Sequence, residues 1–116
     1  MKYDPNICPV RHVLDDVSDK WAILVITALK EGTLRFTELR RTIPDVSQKM
    51  LTQTLRKLER DGYLDRAVTP SIPPKVAYSL TPLGKSLVAH LEPLAAWALN
   101  HRGEVAKARA EYDARD

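Results

Sequence analysis

Residues 47–62 constrain the fold more than any other part of the chain. Ser47 is placed to cap a helix, Leu51, Leu55 and Leu58 then fall on one side of it, and Gly62 stands where a helix stop needs a left-handed residue. The opposite side carries Gln48, Lys49, Thr52, Gln53 and Arg56. Such a helix needs a hydrophobic core behind it and leaves a polar face in front. The 116 residues, 44% hydrophobic, suffice for one such core and hardly for a second. One domain is expected over residues 8–100, followed by a charged, Ala-rich tail over 101–116 that is helical but weakly anchored, with only Val105 and Tyr112 to bury.

The flanking segments extend this pattern. Val10, Val13, Leu14 and Val17 form the one-sided stripe of a short helix. Ser18, Asp19 and Lys20 supply a turn and a cap, after which residues 21–29 are apolar nearly all round and end at Glu31-Gly32, with Gly32 as the left-handed stop. The length and the stop favour a buried central helix, although Val25, Ile26 and Thr27 leave a strand reading open. Residues 33–35 have room for only a minor strand or turn. Residues 37–43 read as an amphipathic helix with Phe36, Leu39 and Ile43 on one face, broken at Pro44-Asp45. Two short strands, residues 64–69 and 76–80, flank the Pro-rich stretch 70–74 as a hairpin with a long loop. Thr81-Pro82 then opens a long helix lined by Leu83, Leu87, Val88, Leu91, Leu94, Trp97 and Leu99, which Pro93 is expected to kink or divide.

Composition removes several function classes. No apolar run approaches the roughly 20 residues of a spanning helix, and residues 1–9 hold no signal-peptide core, so a cytoplasmic chain without a membrane partner is expected. Cys8 is the one cysteine, which excludes an intrachain disulfide. Cys8, His12 and Asp16 lack the ligand number and spacing of a metal site, and Cys8 with His12 lacks the third group of a nucleophilic centre. No enzyme activity, metal or cofactor is expected.

The order helix, helix, minor strand, helix, helix, strand, loop, strand, helix is that of a winged helix-turn-helix, mainly α with a small β-hairpin (α+β). Reading DNA requires an exposed helix face that enters the major groove, polar in its N-terminal half and held from behind. The helix after Ser47 meets that requirement, although the same pattern also describes an ordinary solvated face. The 18 Lys and Arg exceed the 15 Asp and Glu by only three. Arg35, Arg40, Arg41, Lys49, Arg56, Lys57, Arg60, Arg66 and Lys75 nevertheless cluster in the central segments, whereas Asp15, Asp16 and Asp19 lie elsewhere, so the net charge hides a polarised surface. The residues assigned to DNA are Ser47, Gln48, Lys49, Thr52, Gln53 and Arg56 on the reading helix, with Arg35, Thr37, Arg40, Arg66 and Lys75 on phosphates. The alternative is a winged-helix protein-interaction module without specific DNA binding.

Cys8-Pro9-Val10, Asp19-Lys20-Trp21, Leu34-Arg35-Phe36-Thr37-Glu38-Leu39-Arg40-Arg41, Ser47-Gln48-Lys49-Met50-Leu51-Thr52-Gln53, Leu55-Arg56-Lys57-Leu58-Glu59-Arg60-Asp61-Gly62-Tyr63-Leu64 and Tyr78-Ser79-Leu80-Thr81-Pro82-Leu83-Gly84 together resemble the signatures of HxlR-type bacterial transcriptional regulators. The resemblance covers residues 8–97. It implies a homodimeric winged-helix regulator that binds a pseudo-palindromic operator, with the helix after Ser47 as recognition helix, residues 70–74 as wing, and dimer contacts from the N-terminal segment and the C-terminal helix. Val13, Leu87, Leu91, Leu94 and Trp97 are the expected interface residues. A dimer is also expected from the long helix alone, which carries more large apolar residues than so small a core can cover, the alternative being that the helix folds back on its own core. For Cys8 the resemblance implies sensing of oxidants or electrophiles. A helix N-terminus and His12 would lower its thiol pKa, while a partly buried structural thiol is the alternative.

Overall fold

The computed structural model describes Val10, residues 13–15 and residues 19–115. Val10 and residues 13–15 are helical, while Cys8, His12, Asp16 and Val17, which entered the readings above, lie outside the described residues. The described chain divides into two compact units with the boundary between Lys85 and Ser86.

In the first unit, α1 (Lys20–Ala28) begins at Asp19, whose carboxylate accepts the Trp21 backbone N–H at 2.9 Å and so satisfies a donor that the helix cannot. The strand alternative for this segment is not realised. The helix is not buried all round either. Ala22, Val25, Ile26 and Leu29 are buried at helical spacing, whereas Leu24 is 43% exposed. The two helices that follow it in the chain cover only that stripe. Gly32 also departs from the left-handed helical stop expected of it. A 3-10 turn, Leu29–Glu31, ends the helix, and Gly32 takes φ 148° and ψ −173°, a region open to glycine that sends the chain straight into β1 (Leu34–Arg35).

Helix α2 (Phe36–Thr42) starts where the Glu38 carboxylate accepts the Arg35 N–H at 2.9 Å. The turn after it places Asp45 at φ 67°, a left-handed position that aspartate tolerates, with Ile43 and Val46 buried on either side. Ser47 then caps α3 (Gln48–Arg60), accepting the Met50 N–H at 3.0 Å. Leu51, Leu55 and Leu58 are buried with Thr54, and α3 packs against α1 and β2. At its end the Tyr63 N–H reaches Leu58 O at 3.0 Å and the Gly62 N–H reaches Glu59 O at 3.1 Å, with Gly62 at φ 86°. That double bond is the Schellman stop expected at Gly62.

Strands β2 (Leu64–Thr69) and β3 (Lys75–Leu80) form the hairpin, and β1 joins the free edge of β3, giving a three-stranded antiparallel sheet in the order β1-β3-β2. Thr81 then ties three elements together. Its N–H donates to Tyr63 O at 3.1 Å, its hydroxyl donates to Gly62 O at 2.6 Å, and the same hydroxyl oxygen accepts the Gly84 N–H at 3.1 Å. Helix α4 (Pro82–Asp113) starts there.

Pro93 does not divide α4, which runs unbroken through it. Proline there removes one donor, the bond to Ala89 O, and leaves the turns on either side, rich in Ala and Leu, with their own bonds. In the second unit residues 102–115 are exposed along the helix. Among the described residues no helix is long and apolar enough to cross a membrane, and no three His, Cys, Asp or Glu side chains converge as a metal site would need.

A Cβ on Gly84 would collide with the Tyr63 carbonyl and press on Leu80. Gly84→Ala should therefore cost about 1–3 kcal/mol, the usual range for overpacking a rigid contact, as a lower midpoint in urea denaturation.

Candidate nucleic-acid interface

The polar face of α3 is a consequence of what α3 buries. With Leu51, Leu55 and Leu58 turned to the core, helical spacing turns Gln48, Lys49, Gln53 and Arg56 outward, all exposed, with Thr52 half-buried at the edge. The Thr52 hydroxyl donates to Gln48 O at 2.8 Å, which leaves its oxygen free to accept from a ligand. Three shallow recesses adjoin this face. One is lined by Gln48, Lys49, Thr52, Gln53 and Arg56 along the helix itself. The second, between α2 and the start of α3, is lined by Phe36, Thr37, Arg40, Arg41 and Gln48. The third lies between α3 and the sheet, where Thr52, Arg56 and Glu59 face Arg66, Val76 and Tyr78.

Strand register decides which wing residues reach that third recess. Leu64 pairs with Leu80, Arg66 with Tyr78 and Val68 with Val76, so these residues share one face of the sheet, the one turned to α3. Arg35 pairs with Ala77 and Lys75 with Thr69, which puts both on the other face. They line none of the three recesses.

The Arg66 Nε lies 3.5 Å from Glu59 Oε1, an ion pair that joins β2 to α3 at the surface. Tyr78 sits buried beside it. Burial pushes the Tyr78 phenol above its ordinary value, with the Arg66 and Arg56 charges opposing that rise and the Glu59 charge adding to it. Among the described residues, Glu59 is the one acid lining the three recesses, against Arg40, Arg41, Lys49, Arg56 and Arg66. On the far side of α3, Arg56, Lys57, Arg60, Asp61 and Tyr63 line a further recess with Val13 and Asp15, and the Lys57 ammonium donates to Asp15 O at 3.1 Å.

Of the residues assigned to DNA from sequence, Thr37, Arg40, Gln48, Lys49, Thr52, Gln53, Arg56 and Arg66 come together around α3. Ser47 is exposed, with its hydroxyl committed to the helix cap. Sequence reasoning missed Phe36, Arg41, Glu59, Val76 and Tyr78. Arg41 was visible as part of the basic cluster, and Val76 and Tyr78 alternate visibly on β3. Nothing in the sequence signals that Glu59, on the edge of the apolar stripe, meets Arg66.

Among the expected interface residues, Val13 is 39% exposed in the first unit. In the second, Leu87 and Leu91 are half-buried, while Leu94 and Trp97 are more than half exposed. The Trp97 ring stacks on His101 at 4.4 Å, and His101 Nδ1 lies 2.8 Å from Trp97 O.

Residues 16–106 match the model of the HxlR-like helix-turn-helix family. The HTH-type transcriptional regulator YtfH of Escherichia coli strain K12 is 48% identical over 104 residues, spanning 90% of this chain and 82% of the relative. The solved structure of the ytfH transcriptional regulator from Salmonella typhimurium aligns with a TM-score of 0.81 at 44% identity, over 90% of this chain and 94% of that one. The redox regulator HypR in its reduced form aligns with a TM-score of 0.81 at 37% identity, over 86% of this chain and 99% of that one. A match over most of the length, with a winged helix-turn-helix already built from its own residues, places the chain in the HxlR-like helix-turn-helix family.

Proposed function

We propose that this chain is a transcriptional regulator that binds duplex DNA as a homodimer, reading bases with Gln48, Lys49, Thr52, Gln53 and Arg56 of α3. Arg40 and Thr37 of α2, Arg35 of β1, Arg66 on the inner face of the wing and Lys75 on its outer face hold phosphates. The observation that carries the reading is the exposed polar face of α3 flanked by cationic recesses, in a chain whose relatives are HTH-type transcriptional regulators. Those relatives do not favour the alternative of a protein-interaction module, and the reading assigns no catalytic role. Selection of duplexes from genomic DNA by the purified chain tests it, and recovery of no duplex at low salt would refute it. Binding through several phosphates should weaken steeply with salt. Arg56→Ala should cost about 1–3 kcal/mol on the selected duplex if Arg56 bonds a base edge, and little on unrelated sequence.

The homodimer would set two copies of α3 about one DNA turn apart, ~34 Å, on a pseudo-palindromic operator. Its support is the exposure of Leu94 and Trp97, which fall on one side of α4. Trp97→Ala should shift the chain toward monomer at micromolar concentration in sedimentation velocity.

We assign to Cys8 the sensing of oxidants or electrophiles. The support is the likeness to HypR, a redox regulator solved in reduced and oxidised forms. With one cysteine per chain, oxidation would join Cys8 to a second copy or to a small thiol. Cys8→Ser should leave DNA binding intact under reducing conditions and abolish its response to diamide; equal responses of both proteins would refute the assignment.

A further inference from the structure

Glu59 is an anomaly on a surface meant for phosphates. It is an acid lining the recess between α3 and the wing, half-buried, on the same helix as the bases' expected readers. If it faced DNA without another task it would repel the backbone. Its carboxylate instead lies against the Nε edge of Arg66. A guanidinium carries five donors in a planar fork, and a contact made at Nε leaves the two terminal nitrogens to bond a second anion.

The surroundings favour one orientation of that fork. Arg66 stands opposite Tyr78 on the α3-facing side of the sheet, with Val76 and Tyr78 closing the recess on the wing side and Thr52 and Arg56 on the helix side. The direction of the Tyr78 shift, opposed by Arg66 and Arg56 and aided by Glu59, is consistent with these four groups converging. An unrestrained arginine on a two-stranded wing samples many rotamers, and ordering it on binding costs entropy that a partner already in place would have removed.

We propose that Glu59 is a positioning residue for DNA binding, which holds the Arg66 guanidinium by its Nε edge so that its outer nitrogens meet a phosphate beside the recognition helix. The inference rests on the DNA-binding reading above. The same ion pair spans β2 and α3 and so links the phosphate contact to the reading face.

The sign of one substitution separates this from ordinary electrostatics. Removing a negative charge from a DNA-facing surface should by itself strengthen binding. If Glu59 positions Arg66, Glu59→Gln weakens binding instead, by about two- to fivefold, the range of a surface ion pair. The test measures wild type, E59Q, R66Q and the double variant across a salt series, on the duplex that the wild-type chain most enriches from a random-sequence pool. R66Q should weaken binding and lower the salt slope by about one phosphate contact. The double variant should bind no more weakly than R66Q alone, because the task of Glu59 exists only through Arg66. Thermal midpoints of all four proteins should agree, since both side chains sit at the surface. E59Q that binds as tightly as wild type or tighter, or a loss that adds in full to that of R66Q, overturns the positioning role and leaves the DNA-binding reading standing. A wild-type chain without salt-dependent duplex binding overturns both.

Discussion

The close approach of Gly84 to the Tyr63 carbonyl is the constraint on which the interface depends. It brings the end of α3, the base of the wing and the first turn of α4 to one point, where Thr81 bonds Gly62 and Tyr63 together. The β2–β3 pairing begins one residue away on each side, with Leu64 opposite Leu80. Register in a hairpin has a period of two, so a slip of one residue there would carry Arg66 to the other face of the sheet, away from α3 and Glu59. The contact at Gly84 and the hydrogen bonds of Thr81 meet where that register begins.

The same economy governs α3. Its apolar stripe is buried, and among the described residues no buried side-chain polar atom lacks a hydrogen-bond partner, the buried Thr54 included. Core packing against α1 and β2 therefore fixes the rotation of the helix about its own axis. That rotation, and no contact made by the polar residues themselves, is what presents Gln48, Lys49, Gln53 and Arg56 outward. A regulator can then change its reading residues without disturbing the fold, because the two sets occupy different faces.

What was legible in the sequence was what local chemistry decides. Ser47 and Asp19 as caps, Gly62 as a stop, Pro44-Asp45 as a break and the prolines of the wing each act within a few residues of chain, and the elements they delimit were read nearly to their ends. Where a contact between distant segments decides, the sequence was silent or misleading. The apolar surround of α1 says nothing about which side its neighbours leave open, so Leu24 was expected inside. Gly32 was expected in the helical left-handed region because the intervening 3-10 turn depends on where β1 must go. Arg35 and Lys75 look like equals of Arg66 in a list of cations, yet the strand register puts them on the other face. The role of Glu59 depends in the same way on which face of β2 turns toward α3, since its partner Arg66 lies on that strand.

Charge completes the argument about specificity. An excess of three positive charges on the whole chain is slight, but among the described residues the recesses around α3 concentrate five cations against one acid. Attraction from such a patch acts on any phosphate backbone and carries almost no sequence information. Discrimination must then fall on groups that exchange hydrogen bonds with base edges, and the neutral Gln48, Thr52 and Gln53 lie between the cations that would fix their register. Amides satisfied by the right base are left unpaired and desolvated by the wrong one, and that cost is larger than any difference in phosphate attraction between two duplexes. On the proposed reading, the cations at phosphates decide that the chain sits on DNA and where, and the side chains that meet base edges, Lys49 and Arg56 among them, decide on which DNA it stays.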